Sequence, residues 1–263
     1  MPLFRFAPST FRLLLQLRLE VPLTATADLT ACTCWSYRHH NYPLQDVLEG
    51  HHFATRCDDT QKSTRHNVVR NEMGACYKEL RKHVVLEPAR LPGIIAADDS
   101  SRPADILVDP STHHTDKHLA LDVSVVSPDN VAPLNANSHT QQYKAASQAE
   151  QGKHNDYKNL LARLRPPLTP DAADYEKVPI VMESTGAWGP EMQKWWAKML
   201  TLHNEVAADQ ANLSRRARGQ EHTWSANSFS TWWAQRISCA YMRNLGESIQ
   251  RLSAKGPYSH FNA

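Results

Sequence analysis

The chain has 263 residues, of which 41% are hydrophobic and 21% charged, with a mean hydropathy of −0.55. That length suits one domain or one domain with appendages, and the composition is that of a folded chain, which rules out wholesale disorder. No apolar run approaches the ~20 residues of a membrane helix, so no membrane partner is expected, and a net charge of +2 neither demands nor forbids nucleic acid.

The first 19 residues carry Arg5, Arg12 and Arg18 and no acid. A mitochondrial transit peptide has this composition, and so does an amphipathic helix; the expectation is a helix from Thr10 to Leu19, broken before Pro22. Residues 31–64 are polar and His-rich with no sustained period. Within them Cys32, Cys34, His52 and Cys57 offer a Cys₃His set for Zn²⁺, which takes four soft or borderline ligands in a tetrahedron. His39, His40 and His51 are spare ligands, and the bland alternative is a decayed knuckle with free thiols. Five cysteines with no dense framework fit a reduced compartment, cytoplasm or nucleus.

Residues 65–82 predict a helix, because Val69, Met73, Cys76, Tyr77 and Leu80 recur at spacings of three and four, with Ser63 or Thr64 as its cap. Short strands follow at His83–Glu87 and Asp105–Val108, and the clearest strand is Leu119–Val126. Leu119, Leu121, Val123 and Val125 face one way in it; Ala120, Asp122, Ser124 and Val126 face the other. A helix over 139–164, a buried strand over Val178–Glu183, and helices over 190–213 and 226–252 complete the chain. Cys76 and Cys239 fall on apolar helix faces and read as core. Three strands joined by short loops, then a crossing helix and a fourth strand, predict a mixed sheet.

Asp122 stands inside an apolar strand, where an acid is costly unless it meets something positive. Asp105 starts the neighbouring strand, so the two carboxylates reach one edge of the sheet and form a donor pair for Mg²⁺ or Mn²⁺. On the following helix Glu150, Lys153 and Tyr157 share a face that can turn towards that edge. The competing structural reading is a surface Glu–Lys pair beside a packed Tyr, and for Asp122 an acid bonded to a loop. Arg215, Arg216 and Arg218 form a basic run near Trp188, Trp195, Trp196 and Trp224. They suit phosphate contacts and base stacking, or else a solvated linker beside core tryptophans.

Arg-Pro-Ala-Asp at 102–105, Leu-Asp-Val-Ser-Val-Val-Ser-Pro at 121–128 and Glu-Gln-Gly-Lys-His-Asn-Asp-Tyr at 150–157 resemble the restriction-like endonuclease region of non-LTR retrotransposon polyproteins, a PD-(D/E)XK nuclease. Arg65-His66-Asn67, Glu183 to Gly189 and Trp232 to Arg243 resemble flanking segments of the same region. The resemblance covers roughly residues 10–253 and implies an α-β-β-β-α-β core with extra C-terminal helices. It divides the chain into an N-terminal helix and zinc segment (1–64), a nuclease-like core (65–186) and a helical extension (187–263). It implies Asp105 and Asp122 as metal ligands, Lys153 as the cation facing the phosphate, Glu72 or Glu87 as an auxiliary acid, and Arg102 among the nucleic-acid contacts. It raises the zinc reading of the Cys/His segment and favours the nucleus. Two departures stand out: Ala104 interrupts Pro-Asp, and Ser124 occupies the place of the lysine that usually follows the second acid. The expected activity is metal-dependent hydrolysis of DNA, with RNA as a second polymer and no small-molecule cofactor; the alternatives are a catalytically inactive nucleic-acid-binding relic and a scaffold.

Overall fold

The computed structural model describes residues 7–18, 59–80, 82–88, 104–109, 117–128, 133, 135–138, 140–163, 175–202 and 229–253. Within them the chain runs α1 (Pro8–Arg18), α2 (Asp59–Glu79), β1 (Val84–Leu86), β2 (Ile106–Val108), β3 (His118–Val126), α3 (Lys144–Arg163), β4 (Tyr175–Glu183), α4 (Pro190–Leu202) and α5 (Phe229–Ser253). The protein is therefore α/β, with one four-stranded sheet in the order β1-β2-β3-β4. The strands β1, β2 and β3 pair antiparallel, and β4 joins β3 in parallel after the α3 crossover. This is the mixed sheet expected from the element order: the 9 residues between β2 and β3 (109–117) are too few for a parallel crossover, and the α3 helix supplies the one that returns the chain parallel to β3.

The alternation in β3 also holds. Leu121 and Val123 are buried in the main core with Ile106, Val108, Val178, Ile180 and Met182, and Leu119 and Val125 pack against it. That face is covered by α2 and α5 through Val69, Met73, Tyr77, Trp233, Ile237 and Tyr241, and by the Trp195–Trp196 pair of α4. The opposite face carries Ala120, Asp122, Lys177 and Val181 and meets α3, whose Ala145 and Ala146 are buried.

Several boundaries move. The α2 helix begins six residues before the expected start, so Ser63 and Thr64 lie inside it and do not cap it. Its first turns carry no apolar residue, and periodicity has nothing to register there. The α3 helix starts at Lys144, after Tyr143 in the left-handed region (φ 60°). The β4 strand begins three residues early, at Tyr175. It ends in a tight turn in which Glu183 N–H donates to Ala187 O (2.7 Å) and Gly186 takes φ 87°. Among the described residues no helix is long and apolar enough to cross a membrane.

Candidate active site

Continuing the sheet register by one residue sets Asp105 opposite Asp122, because Ile106 pairs with Leu121 and Asp105 N–H donates to Leu121 O at 2.9 Å. Glu87 extends the same row on the other side, donating its N–H to Asp105 O (2.8 Å). Three acids thus end or cross three neighbouring strands at one level of the sheet.

Each acid has a different partner. Asp122 lies between two ammonium groups: Lys153 Nζ of α3 is 2.6 Å from Oδ1, and Lys177 Nζ of β4 is 3.1 Å from Oδ2. The Lys177 side chain is 7% exposed against 28% for Lys153. Its ammonium also lies 5.0 Å from the centre of the Tyr157 ring, within range of a cation–π contact. The residue opposite Lys177 is Ala120, whose single methyl leaves the lysine stem room to run along the sheet to Asp122. Burial pushes the Tyr157 hydroxyl above its ordinary range.

Asp105 accepts from Val123 N–H at 2.7 Å and faces His66 Nε2 of α2 at 2.9 Å. Burial pushes its carboxyl up, but the His66 bond and charge, the Val123 N–H and the Lys153 charge together outweigh burial and hold it below the ordinary carboxylate value. The Asp105 hydrogen bond raises His66 above its ordinary 6.5, against the lowering effect of burial. Glu87, at φ 49° in a region that non-glycine residues seldom adopt, is ion-paired with Arg70, one turn beyond His66 on α2.

The structure brings Asp105, Asp122, Lys153 and Tyr157 into one cluster. Glu150 is not part of it: its Oε1 accepts from Glu191 N–H at 2.9 Å and caps the start of α4, while His154 Nε2 lies 2.6 Å from Glu191 Oε2. Glu150 is buried, and burial, offset by that N–H, pushes its carboxyl up. Glu72 is ion-paired with Arg236 of α5 and is likewise committed away from the acids. Trp195 and Trp196 are buried in the core, so neither presents a face for base stacking. Cys32, Cys34, His52, Cys57, Arg102, Arg215, Arg216 and Arg218 lie outside the described residues.

Sequence reasoning assigned no role to two members of the cluster. Lys177 precedes the strand expected from Val178, although Lys177, Pro179 and Val181 alternate with the buried Val178, Ile180 and Met182. For His66 the sequence offers only its place in the flanking segment Arg65-His66-Asn67; one turn before Val69 and Arg70 it falls on the inner side of α2.

Two carboxylates on adjacent strands are hard oxygen donors and fit a divalent cation such as Mg²⁺ in kind. Among the described residues no three His, Cys, Asp or Glu side chains come together as a complete ligand set. Mg²⁺ ordinarily keeps several waters and takes substrate phosphate oxygens, so two protein carboxylates suffice. No protein-family model matches the chain, and no curated protein matches its sequence.

Proposed function

We propose that the chain is a metal-dependent DNA endonuclease-like protein with a PD-(D/E)XK core, hydrolysing phosphodiester bonds. The observation that supports it most is the meeting of Asp105, Asp122 and Lys153, which come from the two inner strands and a helix and lie at one level of the sheet. The retrotransposon origin rests on the sequence resemblance alone.

In this reading Asp105 and Asp122 hold Mg²⁺ or Mn²⁺, which when bound supplies Lewis-acid charge to the phosphate and to the attacking water. Lys153 lies at the rim of the cluster, where its ammonium balances the charge that builds on the phosphate oxygens. Asp105 is kept ionised by His66, Val123 N–H and Lys153, so it is ready as a ligand well below neutral pH. Two ammonium groups and an imidazole surround two carboxylates here, so the acids are not left with an excess of negative charge that would repel an anionic diester.

A second reading, the inactive nucleic-acid-binding relic, draws support from how fully Asp122 is already engaged. Both Asp122 oxygens already have ammonium partners, and a metal must compete with them. Nicking of supercoiled plasmid with and without Mg²⁺ or Mn²⁺, comparing wild type with Asp122→Asn, separates the two. Metal-dependent nicking that disappears in the variant is the expected result. A variant that cuts as well as wild type removes the assignment, and well-folded wild type that binds DNA without cutting it selects the relic.

A further inference from the structure

Asp122 has two ammonium partners where one would balance its charge, and the two are held very differently. Lys177 leaves β4, the outer strand of the sheet, with β3 beside it and α3 above it. Its side chain is 7% exposed, and its ammonium lies against the Asp122 carboxylate and the Tyr157 ring. Lys153 leaves a helix and is 28% exposed, so its ammonium reaches water by rotation of a flexible stem. Withdrawing Lys177 from Asp122 would leave a buried ammonium with an aromatic face alone, a costly state. Withdrawing Lys153 carries no such cost.

From this asymmetry we infer that Lys177 is a positioning residue: it holds Asp122 Oδ2 permanently, while Lys153 is the exchangeable partner that yields Oδ1 to an incoming metal ion. The inference rests on the nuclease reading and deepens it. Asp122 then offers one oxygen rather than two, aimed to the side from which Lys153 withdraws. Tyr157, on the same helix as Lys153, holds the Lys177 ammonium in place while Lys153 moves.

The test is acylation of the whole chain by an amine-reactive ester, with each lysine read by peptide mass spectrometry, alongside calorimetric titration with Mn²⁺. In metal-free protein Lys177 reacts at least about tenfold more slowly than Lys153, the ratio given by about 1.4 kcal/mol of opening free energy. Saturating Mn²⁺ speeds acylation of Lys153 and leaves Lys177 unchanged. Equal reactivity of the two lysines overturns the inference, as does Mn²⁺ exposing Lys177. Mn²⁺ binding that leaves Lys153 labelling unchanged also overturns it, with the nuclease reading still standing. Absence of both Mn²⁺ binding and metal-dependent nicking removes the nuclease reading, and the release of Lys153 falls with it. In cleavage assays Lys177→Met lowers kcat roughly 10–100-fold with KM for DNA little changed, and Lys177→Arg restores most of the loss. A raised KM with kcat preserved would make Lys177 a phosphate-binding group instead and would also overturn the assignment.

Discussion

Removing the Asp122 carboxylate changes two things at once, because the candidate metal ligand is also the partner of a buried ammonium. Asp122→Ala is therefore predicted to cost about 3 kcal/mol of stability, the usual result of stranding one half of a buried pair. Lys153→Met, at the more exposed partner, should cost no more than about 1 kcal/mol. Urea denaturation of the two variants tests this; equal losses would mean that Lys177 is not held by Asp122. His66 contributes a pH dependence. Its folded value is raised above 6.5 by Asp105, so its contribution is complete below that value and is lost as pH rises through the raised one. Asp105 behaves oppositely: its contribution is present above its ordinary 3.8 and is lost as pH falls through its depressed value. His66→Gln is expected to flatten the stability profile on the alkaline side of 6.5, and thermal melts of variant and wild type that stay parallel across that range would count against it. Asp122 was legible in the sequence because an acid inside an apolar strand has to be compensated. Its buried partner was not, because Lys177 lies in the polar lead-in Tyr175-Glu176-Lys177, where hydropathy gives no sign that a strand has begun.

At the scale of elements, helical spacing told which side chains share a face of α3 without telling what each one meets. Glu150 and Lys153 are one turn apart, yet Lys153 ends at Asp122 and Glu150 at the first turn of α4. The α4 N-terminus has backbone donors with no partner inside the helix, and a carboxylate from a neighbouring helix satisfies one of them. Glu150→Ala is predicted to cost about 1–2 kcal/mol, in the range of a lost helix cap. Glu150→Gln, which keeps an acceptor oxygen, should recover most of that and leave metal-dependent nicking unchanged. Nicking lost in a stable Glu150→Gln protein would return Glu150 to the site. Gly189 belongs to the same joint: an added Cβ would run into Glu150 Oε1 and come within 3.1 Å of Ala146 Cβ. Gly189→Ala should therefore push α4 off its cap and lower the melting temperature more than Glu150→Ala does. Differential scanning calorimetry decides the order. The joint was invisible in the sequence because Glu150 and Glu191 are 41 residues apart and neither breaks a local pattern.

For the whole molecule, strand order and direction were readable because loop length and the single crossover helix leave few ways to connect four strands. How far the fold depends on its last helix was not, since amphipathic periodicity says that α5 has an inner face without saying which surface receives it. In the structure α5 lies against α2 and closes the same core as the sheet, and its Arg236 pairs with Glu72 of that helix. Tyr241 OH reaches Ser184 O (3.1 Å) beyond the end of β4, and burial pushes that phenol up to about 12. Trp232, Trp233, Ile237, Tyr241, Leu245 and Ile249 are all buried along α5. At roughly 1.5–3 kcal/mol for each large apolar side chain, they contribute on the order of 10 kcal/mol. The net stability of a typical domain is itself only about 5–15 kcal/mol. A chain ending before Phe229 should therefore fail to fold, even though it retains every described strand and the whole of the Asp105–Asp122–Lys153 cluster. Far-UV circular dichroism of the truncated chain, with its urea transition, is the measurement. A cooperative transition near that of the full chain would show that α5 is an appendage, and the folded core would then end with α4.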